Sequence, residues 1–78
     1  MIETRIQKIF ATVLELSRDF DFATLRYNEH PDWTSVAHMS IVAGLEMEFD
    51  IIMETDDILA MSDYAKAVEI IARYSADN

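Results

Sequence analysis

A chain of 78 residues holds one domain and not two, and a domain that small hides only roughly 60% of the surface its unfolded chain exposes, so an enclosed active site is hard to build and a surface function is easier to support. Fifteen Asp and Glu against six Lys and Arg give a net charge of −9, which phosphate backbones and anionic membranes repel and basic protein surfaces attract. The absence of cysteine excludes disulfides, thiolate metal sites and thiol nucleophiles.

One Gly and one Pro in the whole chain favour helices over a turn-rich β fold. Met1 opens directly onto an amphipathic stretch, without the basic and apolar regions of a secretory leader. Ile2, Ile6, Ile9, Val13 and Leu16 recur at helical spacing, widened by Phe10 and Leu14, which predicts a first helix over about residues 3–16. Residues 17–33 have no sustained period and contain the turn formers Asp19, Asp21, Asn28 and Pro31. Phe20, Phe22, Leu25 and Tyr27 make this segment too apolar for a solvated linker. It is expected to pack across the helices, with one helical turn near residues 23–26.

A second helix is expected over about residues 35–48, with Thr34 as its N-cap, because a threonine hydroxyl can accept an otherwise orphaned amide of the first turn. His38, Ile41, Val42, Leu45 and Phe49 form one apolar stripe, and Val36, Met39, Ala43 and Met47 form another. A helix apolar on two sides lies deep in a core or meets a partner, and a chain this short favours the partner. Thr55 is expected to cap a short acidic helix over residues 56–60, and Ser62 to cap a fourth over about residues 63–74, with Val68, Ile71 and Ala72 inward. Ile6, Phe10, Ile41, Leu45, Phe49, Val68 and Ile71 are the expected core. The fold class is all-α: a single domain over residues 1–78, with three longer helices, a short third helix and a long first loop. No apolar run approaches the roughly 20 residues that span a bilayer, so the expectation is a monomeric cytoplasmic protein that binds neither membrane nor nucleic acid.

The chemistry concentrates in Asp32-Trp33-Thr34-Ser35-Val36-Ala37-His38-Met39 and its continuation through Leu45-Glu46-Met47-Glu48-Phe49. Ser35 falls in the first turn of the second helix, where free amides and the positive end of the helix dipole suit a phosphodiester. Serine is also common there without any chemistry. Trp33 reads most simply as a hydrophobic staple on the first turn, and His38 as a histidine at the edge of the core. A Ser35–His38 hydrolase pair lacks an oxyanion hole and an orienting carboxylate, and Gly44 stands too far off to form a nucleophile elbow. Glu54, Asp56 and Asp57 fit a solvated acidic helix start better than a cation site, and no metal is expected.

This stretch resembles the acyl carrier protein family, in which an Asp-Ser-Leu motif opens the second helix and a Leu-Glu-Glu-Glu-Phe-like run closes it. Thr34 and Val36 stand here in place of the motif's Asp and Leu, while the spacing from Ser35 to Phe49 aligns without a gap. The Trp33 to His38 stretch is most similar to specialised carriers with a Trp-Asp-Ser-Leu-x-His pattern. The resemblance extends to residues 2–9, as the family's first helix, and to residues 52–71, as its third and fourth. It implies a four-helix bundle of acyl-carrier type that is not itself an enzyme. It further implies 4′-phosphopantetheine joined covalently to Ser35, with Trp33, Thr34 and His38 as candidate arm contacts and an arm thiol that carries acyl groups as thioesters. The implied partners are a phosphopantetheinyl transferase, an acyl-loading ligase or acyltransferase, and acyl-using enzymes of a specialised lipid, polyketide or surface-molecule pathway. Val36, Met39, Ala43, Glu46, Met47 and Glu48 are the expected docking residues. An aminoacyl cargo, or an unmodified acidic helical adaptor that docks through the second helix, are the alternatives.

Overall fold

A computed structural model describes residues 1–17 and 19–76, leaving aside the side chain of Ala76. Its elements are α1 (Ile2–Leu14), a 3₁₀ turn (Phe22–Thr24), α2 (Ser35–Phe49), α3 (Thr55–Ala60) and α4 (Tyr64–Ala76). Among the described residues there is no strand, only one isolated antiparallel bridge between Arg26 and Asp63. The chain is thus a small helical bundle of three longer helices and one short one.

In α1, Ile6, Phe10 and Leu14 are buried at successive four-residue steps. Ile2, Ile9 and Val13 lie half-buried beside them. The seam therefore runs through Phe10 and Leu14, which the sequence pattern placed at its margin. The helix stops two residues short of the expected end. Glu15 turns left-handed at φ 54°, and the Leu16 amide donates back to the Ala11 carbonyl at 3.0 Å. Asp50 ends α2 in the same way, at φ 54°, with the Ile51 amide donating to Glu46 O at 3.1 Å.

α2 lies against α1 so closely that a Cβ on Gly44 would stand 2.9 Å from Ile9 Cγ2. Ile41, Val42 and Leu45 face that contact and are buried, while Phe49 is half-buried at the end of the stripe. Its ring carries the Arg5 guanidinium, 4.3 Å from the ring centroid. In α4 the inward face is Ala67, Ile70 and Ile71. Val68 is only half-buried and Ala72 is exposed. Val68, Ile70, Ile71 and Ala72 allow two helical faces about one residue apart, and contact with α1 and the loop selects the one containing Ile70.

Two expected caps are corrected. Thr55 is the first residue of α3, and the preceding Glu54 makes no side-chain cap. Instead the Glu54 amide donates to the Tyr74 hydroxyl at 2.9 Å. α4 is capped by Asp63, whose Oδ1 accepts from the Lys66 amide at 2.7 Å. Ser62 uses its carbonyl, which accepts from the Tyr27 amide at 2.8 Å, while the Tyr64 amide donates to Leu25 O at 3.2 Å. These two bonds stitch the long loop to the start of α4 and so set which residue caps it.

The loop does pack across the bundle. Its helical turn lies at Phe22–Thr24, one residue earlier than expected, and Asp21 Oδ1 accepts from the Ala23 amide at 3.1 Å. Leu25 then extends into the bridge and is buried, as is Trp33. Phe10 meets Trp33 edge-on at 5.0 Å and Tyr64 at 6.1 Å, so aromatic rings join loop, α1 and α4. The Cα radius of gyration, 11.5 Å, is what a compact chain of this length gives.

Candidate functional site

Ser35 is exposed at the first position of α2. Thr34 is the N-cap in extended backbone, and its Oγ1 accepts the Ala37 amide at 3.3 Å while its carbonyl accepts the His38 amide at 2.8 Å. The amides of Ser35 and Val36 lie ahead of the first intrahelical acceptor. A phosphate on Ser35 Oγ would therefore sit at the positive end of a fifteen-residue helix, beside amides with no helical partner.

The outer stripe of α2 continues from Ser35. Val36 is 78% exposed and Met47 85%, with Met39 and Ala43 also exposed between them. Ser35, Val36, Met39, Ser40 and Ala43 line a shallow open groove along this face. Ile52 and Leu59 add exposed apolar side chains after α2 and in α3. The apolar members of the expected docking set are thus all on the surface.

The two acidic members are placed differently. Glu46 is half-buried, and its Oε2 accepts the Met53 amide at 2.9 Å, fixing the turn after α2. Glu48 is exposed, but its carboxylate pairs with Arg5 Nε at 2.8 Å and its carbonyl accepts from the same guanidinium at 2.7 Å. Both carboxylates thus hold elements of the protein itself, Glu46 the turn after α2 and Glu48 the start of α1. Outside α2 itself, the exposed carboxylates closest in sequence are Asp32 ahead of it and Asp50, Glu54 and Asp56 behind it.

Trp33 and His38 also turn inward. The Trp33 indole N–H donates to His38 Nδ1 at 3.0 Å, and His38 Nε2 meets the Ile58 carbonyl of α3 at 2.8 Å. Their rings lie within 18° of parallel, side by side, with centroids 5.8 Å apart. Trp33 precedes the N-cap and His38 is the fourth helical residue, so this is the expected staple, with a hydrogen bond added to its packing. Trp33 is buried, and both ring nitrogens of His38 are committed. In this arrangement Trp33 presents no surface to an arm on Ser35, and neither ring nitrogen of His38 is left to act as a base. The five-residue spacing of an N–H donor and a ring acceptor was the sequence signal for the pairing. Nothing local pointed to Ile58, twenty residues on.

A second polar cluster holds α3 to α4. Asp57 accepts from the Tyr74 hydroxyl at 2.6 Å and from Arg73 at 2.8 Å. The Tyr74 hydrogen bond, and then that of Arg73, hold the Asp57 carboxyl below its usual range, and the same contacts push Tyr74 and Arg73 upward. Asp57 is therefore spent on Arg73 and Tyr74 rather than on a cation. Among the described residues no three metal-ligating side chains converge. No helix among them is long and apolar enough to cross a membrane. Comparison with protein-family models, curated proteins and solved structures found no match to this chain.

Proposed function

We propose that the chain is an acyl carrier protein: Ser35 bears a 4′-phosphopantetheine arm whose thiol carries acyl groups as thioesters to partner enzymes. In this reading the bundle is of acyl-carrier type. The observation that carries it is Ser35 itself, exposed at the first turn of α2 behind a working Thr34 cap and followed by an outward apolar stripe. Attachment joins Ser35 Oγ to the phosphate of the arm in coenzyme A, and the nucleotide portion leaves. The proton on Oγ passes to a base on the transferase, because His38, the nearest imidazole along the helix, is already bonded at both nitrogens. The partners are the transferase, a loading ligase or acyltransferase, and acyl-using enzymes of a specialised lipid, polyketide or surface-molecule pathway. They would approach over Val36, Met39, Ala43 and Met47, where methionine offers an adaptable apolar surface.

The exposed apolar stripe also suits an unmodified adaptor that lays α2 in a partner's groove, and the two readings separate at Ser35 alone. A fluorescent coenzyme A analogue and a broad-specificity transferase test them. The carrier reading expects label on the wild type and on Ser40→Ala, and none on Ser35→Ala. Label retained by Ser35→Ala, or no label on the wild type with several transferases, would favour the adaptor.

A further inference from the structure

α3 is the least anchored helix of the bundle. It has six residues and no buried side chain, and Ile58 lies only half-buried. At its start it is tied to α4 through Asp57 and the Glu54 amide. Towards its end the Ile58 carbonyl meets His38 Nε2 of α2, and His38 Nδ1 in turn accepts from the buried Trp33 indole. That acceptance fixes the ring as the neutral Nε2–H tautomer, with its one proton directed at Ile58. Tyr27 closes over both rings, its centroid 5.1 Å from His38 and 5.9 Å from Trp33.

We propose that His38 is a proton-sensitive latch joining the start of α2 to α3. The neutral ring is the acceptor Trp33 needs and the donor Ile58 needs. A protonated ring donates at both nitrogens, so its Nδ1–H would confront the indole N–H. Trp33 is 0% exposed, and its N–H would lose its acceptor where no water replaces it. Among the described residues no carboxylate is paired with His38 to meet the added charge. The first turn of α2 carries no acid. On α3, Asp57 is held by Arg73 and Tyr74, and Asp56 and Glu54 are exposed. In the loop, Tyr27 is the titratable group in ring contact, His30 Nδ1 accepts the Asp32 amide, and Arg26, Glu29 and Asp32 are exposed. Among the described residues no ion pair made by α1 or α4 involves His38. Protonation therefore loosens Trp33, the entry to α2 at Ser35, and α3 together. This holds whatever Ser35 carries.

Trp33 is the only tryptophan, so its emission reports on the latch. His38 ring ¹⁵N shifts, Trp33 emission and amide protection over α3 are followed between about pH 7.5 and about pH 5, the interval in which imidazole ordinarily gains its charge. The expected result is an Nε2–H tautomer at the upper limit. Emission should then change along the His38 titration curve, and α3 protection should fall roughly tenfold, as loss of such a bond implies. His38→Gln keeps one acceptor and one donor without titrating, so its emission and protection should stay level, while His30→Gln should respond like the wild type. The latch is overturned if His38 titrates while emission and protection hold constant, if His38 takes no proton above about pH 5, or if the response survives in His38→Gln. Should His38→Gln fail to fold, coincidence or divergence of the wild-type curves decides alone.

Discussion

Leu45 and Met47 lie two residues apart on α2 and face opposite ways, at 0% and 85% exposure. Leu45→Ala deletes three carbons from the contact with α1. At about 0.8 kcal/mol per buried methylene the transfer loss alone is about 2.4 kcal/mol. The cavity raises this to about 3–4 kcal/mol, because the surrounding core of Ile6, Phe10 and Ile41, all at 0% exposure, collapses only in part. A domain of this length has roughly 4–12 kcal/mol of stability to lose. Each kcal/mol shifts Tm by about 4–8 °C, so Leu45→Ala should melt at least about 12 °C lower or not fold. Met47→Ala removes a side chain already in water and should stay within about 0.5 kcal/mol of the wild type. Urea unfolding followed by circular dichroism measures both, with equal m-values showing that the unfolded state is unchanged. A loss under 1 kcal/mol for Leu45→Ala, or equal losses for the pair, would mean that α2 buries the other stripe.

Glu15→Gly relieves a left-handed conformation that disfavours side chains and should stabilise by about 1 kcal/mol in the same urea assay. Asp57→Asn should be less stable than the wild type at neutral pH. Because the folded carboxyl is held below its usual value of 3.8, its contribution is present above that pH and fades as pH falls through the lower folded value, so the two stability curves should converge in acid. Glu46→Gln should weaken the bond to the Met53 amide and cost about 1 kcal/mol, while the salt dependence of arm transfer stays as in the wild type. Met39→Glu should leave the circular dichroism spectrum and Tm unchanged and slow arm transfer or loading; if it unfolds the domain, Met39 is core.

The parts of this fold legible in the sequence are those set within a few residues. The presence of the first helix, though not which of its apolar residues form the seam, the Thr34 cap, the staple position of Trp33 and the two faces of α2 each follow from local residue order. What was not legible depends on residues distant along the chain. Ser62 and Asp63 are both good capping types, and the choice between them comes from the bridge to Leu25 and Tyr27. Glu48 looks like a free surface acid until α1 brings Arg5 to it from 43 residues away. Glu46 is likewise claimed by the turn that follows its own helix. The α4 seam was displaced because Val68 and Ile70 are equally apolar, and only packing against α1 and the loop tells them apart. Ser35 was legible as a position, but a serine at a helix start states no chemistry by itself.

The most direct test of the carrier assignment is the intact mass of this protein isolated from its native host. A carrier has the mass of the chain plus a single phosphopantetheinyl group, with or without an acyl group on its thiol, and fragmentation places the addition on Ser35. A protein found only at the mass of the bare chain, or one whose addition maps to another residue, would contradict it.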